Sequence, residues 1–572
     1  MPTIQVKMKD LESLLGRSLT LAELADRLPL VKGEIKEHDE STGKLKLELN
    51  DTNRPDLWCV EGVARQIKTH LRRRGVPYPF YGGKRKPAAV IEVSPPLKSV
   101  RPYIGACIAR GLSIDGEALV QLIQTQEKLS ESFGRKRHLV SIGLYRLARI
   151  AFPVTYKTVQ PDGARFVPLG SESSMTPAEI LKEHPKGKTY AGILSGAAAY
   201  PLLADREDKV LSFPPIINSR EVGEVRVGDR DLFVEVTGTD LRMVILTVNI
   251  LAANLADRGA GIDPVEVRYP YATDYGRKIT MPAVLARPME MTLDHLSAAL
   301  GEAIEAPTAV STLKAYGYTV RTRGRRLTVS VPAYRDDLLH PVDVVEDFAI
   351  SRGYESFESE MPTEFTLGGL SSIEQVSDRV RESMIGMGFQ EVISNILTNR
   401  EESVDRMSLS DMQADLVLVE NVMSQTYSAL RSSLVPSLLR VEAASSKSFY
   451  PHRIFEAGET ALTDGNAPEG TRTLLKLAAL IAHPAANFSE LHSCLDLLMY
   501  YMGGIYQLEP ASHPSFIEGR VGKIVAGGRD LGLIGELHPQ VLANWQIAMP
   551  CAVFELALDF PPEGSLIQAP QS

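Results

Sequence analysis

Residues 331–354, VPAYRDDLLHPVDVVEDFAISRGY, constrain this chain more than any other stretch, because they crowd acids at a spacing that ordinary surface helices seldom need. Asp343, Glu346 and Asp347 stand at i, i+3 and i+4, so a helix beginning near Pro341 projects all three carboxylates from one face. Proline suits the first turn of such a helix, where a missing N–H leaves nothing unpaired. Asp337 lies six residues before Asp343, on the approach from the strand-like LTVSVPAY, and can fold back to add a fourth oxygen ligand. Like charges this close repel unless a cation or a partner's basic groups compensate them. An all-oxygen set selects a hard ion, Mg2+ rather than Zn2+. The same spacing also fits an acidic first turn facing solvent, where the helix dipole favours negative charge. The residues alone leave both readings open.

A chain of 572 residues holds about three to five domains at roughly 100–200 residues each. Its net charge of −9 leaves no overall basic footprint, so any contact with nucleic acid comes from local patches or from a partner. Cys59, Cys107, Cys494 and Cys551 lack C-x-x-C spacing, which argues against a disulfide framework or a cysteine metal site and for a reducing compartment. No apolar run of membrane-spanning length and no signal-peptide pattern opens the chain, so a soluble cytoplasmic protein is expected.

In chain order, TIQVKM reads as a strand, followed by a helix over 10–15 and a second helix, LTLAELADRL. The pattern returns from Met291, where Leu296, Leu300, Gly301, Ile304 and Leu313 match Leu11, Leu15, Gly16, Leu19 and Leu28. A small helical module is therefore repeated, either as a packing unit or as a nucleic-acid-binding helix pair. LKLELNDTNRPDLWCVEGVARQI reads as strand, turn and helix, with Pro55 setting the turn and Asp56 placed to accept hydrogen bonds at the helix start. The basic runs at 68–74 and 82–87 read as a linker that can touch phosphate.

Strands and helices alternate from 88 to 255, with a helix over 117–133, the strand DLFVEVTG, a long apolar helix over 241–255, and a polar crevice near Ser212, Asn218, Glu235 and Thr237. No Walker loop or Ser/His/Asp set is visible there. After residue 360 a further domain opens with an amphipathic helix over 373–388 and ends in short strands and Gly turns, an antiparallel sheet with helices on one side. The chain is thus expected to be α+β and multidomain, built of small helical or winged-type modules, an α+β middle domain and a C-terminal antiparallel sheet with helices.

NDTNRPDLWCVEGVARQI, VLSFPPIINS with VTGTD, the acidic segment, and NVMSQTYSALRSSLVPSLL with RIFEAGE together resemble the beta subunit of phenylalanyl-tRNA synthetase, of the shorter archaeal/eukaryotic type. The resemblance spans almost the whole chain. It implies an N-terminal module over 1–87, a B3/B4-type editing domain over 88–268, a B5-type module with the acidic segment over 269–360, and a class II synthetase-like module over 361–572, with no separate anticodon-binding domain after it. It further implies an (αβ)2 heterotetramer with an alpha subunit that uses ATP to charge tRNA(Phe), no membrane partner, and no aminoacylation site in this chain. Mg2+, shared with the alpha subunit, falls on Asp337, Asp343, Glu346 and Asp347.

The resemblance also implies hydrolysis of mischarged tyrosyl-tRNA. An apolar pocket rejects an added hydroxyl weakly, so a second site is needed. Glu235 is the expected acceptor of the phenol, with Ser212 and Thr237 as polar neighbours, Leu203 lining the pocket, and Arg135, Lys136 and Arg137 near the tRNA end. Tyr145 stands where the family often has histidine. The class II signatures are degenerate: Arg453 and Glu456 stand three apart rather than two, and LGLIGELHP offers Glu536 and His538 where an arginine is usual. Residues 431–439 match the helix that builds subunit interfaces. A free-standing tRNA-editing hydrolase and a non-catalytic tRNA-binding scaffold are the alternatives.

Overall fold

The computed structural model describes residues 2–50, 53–82, 85–285, 287–409 and 416–558; the turn positions Asp51 and Thr52 and the linker positions Gly83 and Lys84 thus lie outside the described residues. Two compact units divide the chain, Met1–Glu360 and Met361–Ser572.

The first unit opens with β1 (Thr3–Lys7), helices Met8–Leu15 and Leu21–Arg27, and the hairpin β2 (Gly33–Asp39) and β3 (Lys44–Leu49), in sheet order β1-β3-β2. Helix Met8–Leu15 packs on helix Val60–Arg72. That helix is capped by Cys59, whose Sγ accepts from the Gly62 N–H. Asp56, expected to cap it, is instead buried in a bidentate pair with Arg54, both contacts at 2.8 Å.

The middle sheet has ten strands, β4 (Ala89–Val93), β5 (Tyr103–Arg110), β6 (Val140–Arg146), β7 (Val154–Val159), β8 (Tyr200–Ala204), β9 (Val210–Phe213), β10 (Ile217–Asn218), β11 (Leu232–Gly238), β12 (Gly261–Arg268) and β13 (Lys278–Met281). Their order is β10-β9-β8-β7-β4-β12-β5-β11-β6, with β13 also on β12. Helix Leu241–Asp257 packs on β5 and β11. Gly105 on β5 faces Val244 and Val248 of this helix, which fixes the opposite face of β5 and β11 as the one that carries Ala106 and Glu235.

The repeat holds in three dimensions. β14 (Met289–Thr292), helices Leu293–Leu300 and Ala306–Ala315, and the hairpin β15 (Thr319–Arg323) and β16 (Arg326–Ser330) form a second three-stranded module in order β14-β16-β15. Both first helices end on a left-handed glycine, Gly16 and Gly301, each with φ of 75°. Helix Pro341–Arg352 follows, with Pro341 in its first turn as its sequence requires.

The second unit holds β17 (Gln390–Glu391), a small ladder of β18 (Leu397–Thr398) with β19 (Ala429–Leu430), then β20 (His452–Thr463), β21 (Thr471–Ala482), β22 (Gln507–Pro510), β23 (Phe516–Ala526), β24 (Arg529–Leu537) and β25 (Cys551–Ala557). Its seven-stranded sheet runs β17-β20-β21-β25-β24-β23-β22. Leu477, Ala479 and Ile481 pack with helices Ser372–Gly386 and Phe488–Met502, whereas Ala478, Leu480 and Ala482 pack with helix Val435–Ala444. Helices therefore cover both faces, not one as expected. The unbroken apolar run LAALIA is the trace of that double burial.

Candidate functional site: a ring-sized cavity and an acidic helix

The strand DLFVEVTG lies between β5 and β6 and is buried on both faces. Such strands read as continuous apolar runs, so an acid and a threonine at i and i+2 stand out. Glu235 lies opposite Gly143, Thr237 opposite Ser141, and Phe233 opposite Tyr145, all on the face away from the long helix. A cavity of about 150 Å3 opens there, walled by Gly143, Ser212, Asn218 and Glu235, with Gln126 and the turn through Pro214 and Pro215 around it.

At its polar end Tyr145 Oη donates to Glu235 Oε2 at 2.7 Å and lies 2.8 Å from Ser212 Oγ. Behind it Arg101 Nε donates to Thr237 Oγ1 at 3.0 Å, and its Nη2 reaches Ser141 Oγ and the Thr237 carbonyl. Burial raises Glu235 to about 7, against the pull of the Tyr145 hydroxyl, Arg101 and Thr237. Burial lowers Arg101 to about 10, which leaves it charged at neutral pH. The cavity thus ends in a carboxyl group poised between its two protonation states, with a fixed cation close by.

The acidic segment does something else. Arg335, 1% exposed, donates to Asp337 through Nε at 3.0 Å and Nη2 at 2.5 Å, and to Asp347 Oδ2 at 2.7 Å. Tyr318 Oη also donates to Asp347, at 2.6 Å. Burial pushes Asp337 up, but Arg335, aided by Arg54, outweighs it and holds this acid down at about 2. Asp343 Oδ2 accepts from the Leu339 and His340 N–H groups at the helix start, and Glu346 pairs with Lys32 at 2.8 Å. Among the described residues no three His, Cys, Asp or Glu side chains stand where one metal ion could take them. Of the four acids expected to hold Mg2+, Asp337 and Asp347 are thus paired with an internal guanidinium, Asp343 caps a helix, and Glu346 holds a lysine.

The family profile described as "tRNA synthetase B5 domain" matches residues 289–354, and that described as "Phenylalanyl tRNA synthetase beta chain CLM domain" matches residues 358–558. A phenylalanine–tRNA ligase beta subunit of Borrelia hermsii is 40% identical over 98% of this chain and 99% of its own, and one of Thermococcus kodakarensis is 40% identical over 98% of each. The chain belongs to the phenylalanine–tRNA ligase beta subunit family. The crystal structure of an N-terminal fragment of the beta subunit from Pyrococcus horikoshii is 37% identical and superposes with a TM-score of 0.58, covering 62% of this chain and all of the fragment.

In this member of the beta-subunit family the expected pocket residues separate. Ser212 and Glu235 line the cavity, and Thr237 is fully buried behind Glu235. Leu203 is also fully buried, paired with Tyr156 and Ser212 across the sheet, and is not among the residues that wall the cavity. Arg137 is built into the wall: Nη1 donates to the Pro215 and Ile216 carbonyls, and the guanidinium stacks 4.2 Å over Tyr190. Arg135 and Lys136 are exposed beside it, and all three have positive φ. Arg101, Ser141 and Gln126 escaped sequence reading because they come from other strands and helices; only the spacing of Ser141, Gly143 and Tyr145 along one strand face signals part of the set.

In the second unit the residues expected at the class II signatures are held by internal partners. Arg453 is tied to Glu490 at 2.7 Å, and Glu456 is buried against Arg431 at 2.7 Å and Ser394 Oγ at 2.6 Å. Glu536 accepts from the Phe488 N–H and from Arg520, and His538 caps the short helix Pro539–Asn544. Each polar group has an internal partner. No helix among the described residues is long and apolar enough to cross a membrane.

Proposed function

We propose that this chain is the non-catalytic half of an ATP-dependent phenylalanine–tRNA ligase, paired with a catalytic alpha subunit as an (αβ)2 heterotetramer, and that its middle domain hydrolyses tyrosyl-tRNA. Family membership supports the first half. The internal pairing of Arg453 and Glu456 supports it further, since both stand where the resemblance puts an ATP-holding signature. ATP is used by the alpha chain, and tRNA(Phe) is the shared substrate. Mg2+, shared with the alpha subunit, is the ion for which Asp337, Asp343, Glu346 and Asp347 remain the candidate ligands, with Asp337 and Asp347 held by Arg335 in the chain by itself.

The observation that carries the hydrolytic reading is Glu235. An acid at the end of a ring-sized cavity is a hydrogen-bond acceptor that distinguishes a phenol from a phenyl group. A site that binds a substrate hydroxyl rejects the analogue lacking it far more strongly than an apolar pocket rejects an added hydroxyl. Water is the nucleophile, and Ser212, Asn218 and Gln126 are among the polar groups of the cavity wall that can position it. Arg135 and Lys136, exposed beside the cavity wall, are the candidates for the tRNA phosphates.

Glu235→Ala in the αβ complex is expected to slow tyrosyl-tRNA hydrolysis by 10-fold or more, on the order of one buried hydrogen bond to a charged group, while phenylalanine charging is retained. Normal tyrosine clearance by this variant would remove Glu235 from the site. Hydrolysis by the chain without any alpha partner would favour the free-standing hydrolase instead.

A further inference from the structure

The acceptor end of the cavity is already engaged by the protein's own phenol. Tyr145 is fully buried and stands two residues from Gly143 on the same strand face. Its Oη lies 2.7 Å from Glu235 Oε2, 2.8 Å from Ser212 Oγ and 3.4 Å from Asn218 Oδ1, so it meets three polar groups of the cavity wall at once. Space at this point is tight: a Cβ on residue 143 would fall 2.2 Å from Tyr145 Oη and 2.3 Å from Glu235 Oε2. Glycine at 143 is what leaves room for this pair, and Glu235 itself lines the cavity. The cavity's volume of about 150 Å3 is that of a pocket known to hold a benzene ring.

We propose that Tyr145 is a specificity-determining residue of this cavity, an internal competitor that a substrate's para-hydroxyl must displace from Glu235. The proposal rests on the hydrolytic reading of the cavity. Its physical content is an exchange: a ligand phenol that takes Glu235 replaces one hydrogen bond with an equivalent one, so it gains little over a phenyl group. Against a carboxylate with no such occupant, the same hydroxyl would gain about 10- to 100-fold. Tyr145 therefore narrows the discrimination between tyrosine and phenylalanine that Glu235 alone would give.

The test is Tyr145→Phe, which keeps the ring against Phe233 and removes only the competing hydroxyl. Equilibrium dialysis of the full chain with labelled L-tyrosine and L-phenylalanine is expected to show the variant's preference for tyrosine raised by at least about 10-fold. Adding Glu235→Gln to the variant is expected to return the preference toward that of the parent chain. An unchanged or reduced preference in Tyr145→Phe overturns the proposal.

Tyrosyl-tRNA hydrolysis by the αβ complex separates the two claims. If tyrosine preference rises but neither protein hydrolyses tyrosyl-tRNA, the hydrolytic reading fails and the role of Tyr145 stands. If both hydrolyse at one rate with one preference, the role of Tyr145 fails and the hydrolytic reading stands. Should the variant not fold, the parent chain decides by NMR of 13C-labelled tyrosine rings. L-tyrosine, but not L-phenylalanine, should shift the Tyr145 resonance as it is displaced, and no shift overturns the proposal.

Discussion

Glu235 shows how much one residue can be asked to bear. Its carboxyl is removed from water and raised from an ordinary 4.5 to about 7, so the folded protein holds its proton more tightly than the unfolded chain does. Stability from this group is full below pH 4.5 and is lost as pH rises through 7, a change of about 3 kcal/mol. Glu235→Gln is expected to remove that dependence, which the difference in urea midpoints between the two proteins at pH 5 and pH 8 measures; parallel curves would show that the acid is not strained by burial. Arg335 makes the opposite case, a buried cation paired with two buried carboxylates, Asp337 and Asp347. Arg335→Met is expected to destabilise the first unit by about 3–5 kcal/mol, read as a fall in its melting temperature. A chelator tests the metal at the same acids: a fall in that temperature on chelation would support bound Mg2+, and an unchanged temperature would leave the Arg335 pairing as their compensation.

The acids of 331–354 were legible as a cluster, but their division was not. At 3.6 residues per turn, Glu346 and Asp347 point about 100° apart, wide enough to straddle the boundary of a half-buried helix. Which of them faces the core depends on where the second module's Tyr318 and Arg335 lie.

At the scale of elements, local pattern was a sound guide wherever one face is wet. The repeat was readable from Leu11, Leu15, Gly16, Leu19 and Leu28 because a helix pair on a three-stranded sheet needs the same apolar spacing and the same left-handed glycine in both copies. The guide failed where strands are covered on both sides, as in LAALIA, since alternation vanishes there and with it the count of covering helices. A close approach is equally silent in sequence. Gly62, in the first turn of helix Val60–Arg72, would carry a Cβ only 1.8 Å from the Asp56 carbonyl oxygen. Gly62→Ala is expected to destabilise the first unit by about 1–3 kcal/mol through forced displacement of the 54–57 turn, although alanine is the better helix former. A melting temperature equal to or above that of the parent would show that the turn yields freely.

For the whole molecule, the expected behaviour is division of labour. The chain co-expressed with its alpha partner should elute at the mass of a heterotetramer and charge tRNA with phenylalanine, while neither chain does so alone. A monomer indifferent to the alpha chain would leave only common ancestry. Family, the acid-rich helix and the presence of an acid in an apolar strand were all written in the chain, because each depends on neighbours close in sequence or on motifs that stay contiguous. The folded structure alone decided that Tyr145 meets Glu235, that Arg335 pairs with Asp337 and Asp347, and that Leu203 is fully buried. Those outcomes depend on which strands lie side by side and which side chains lose their water, and residues 90 apart in the chain become partners only when the sheet has formed.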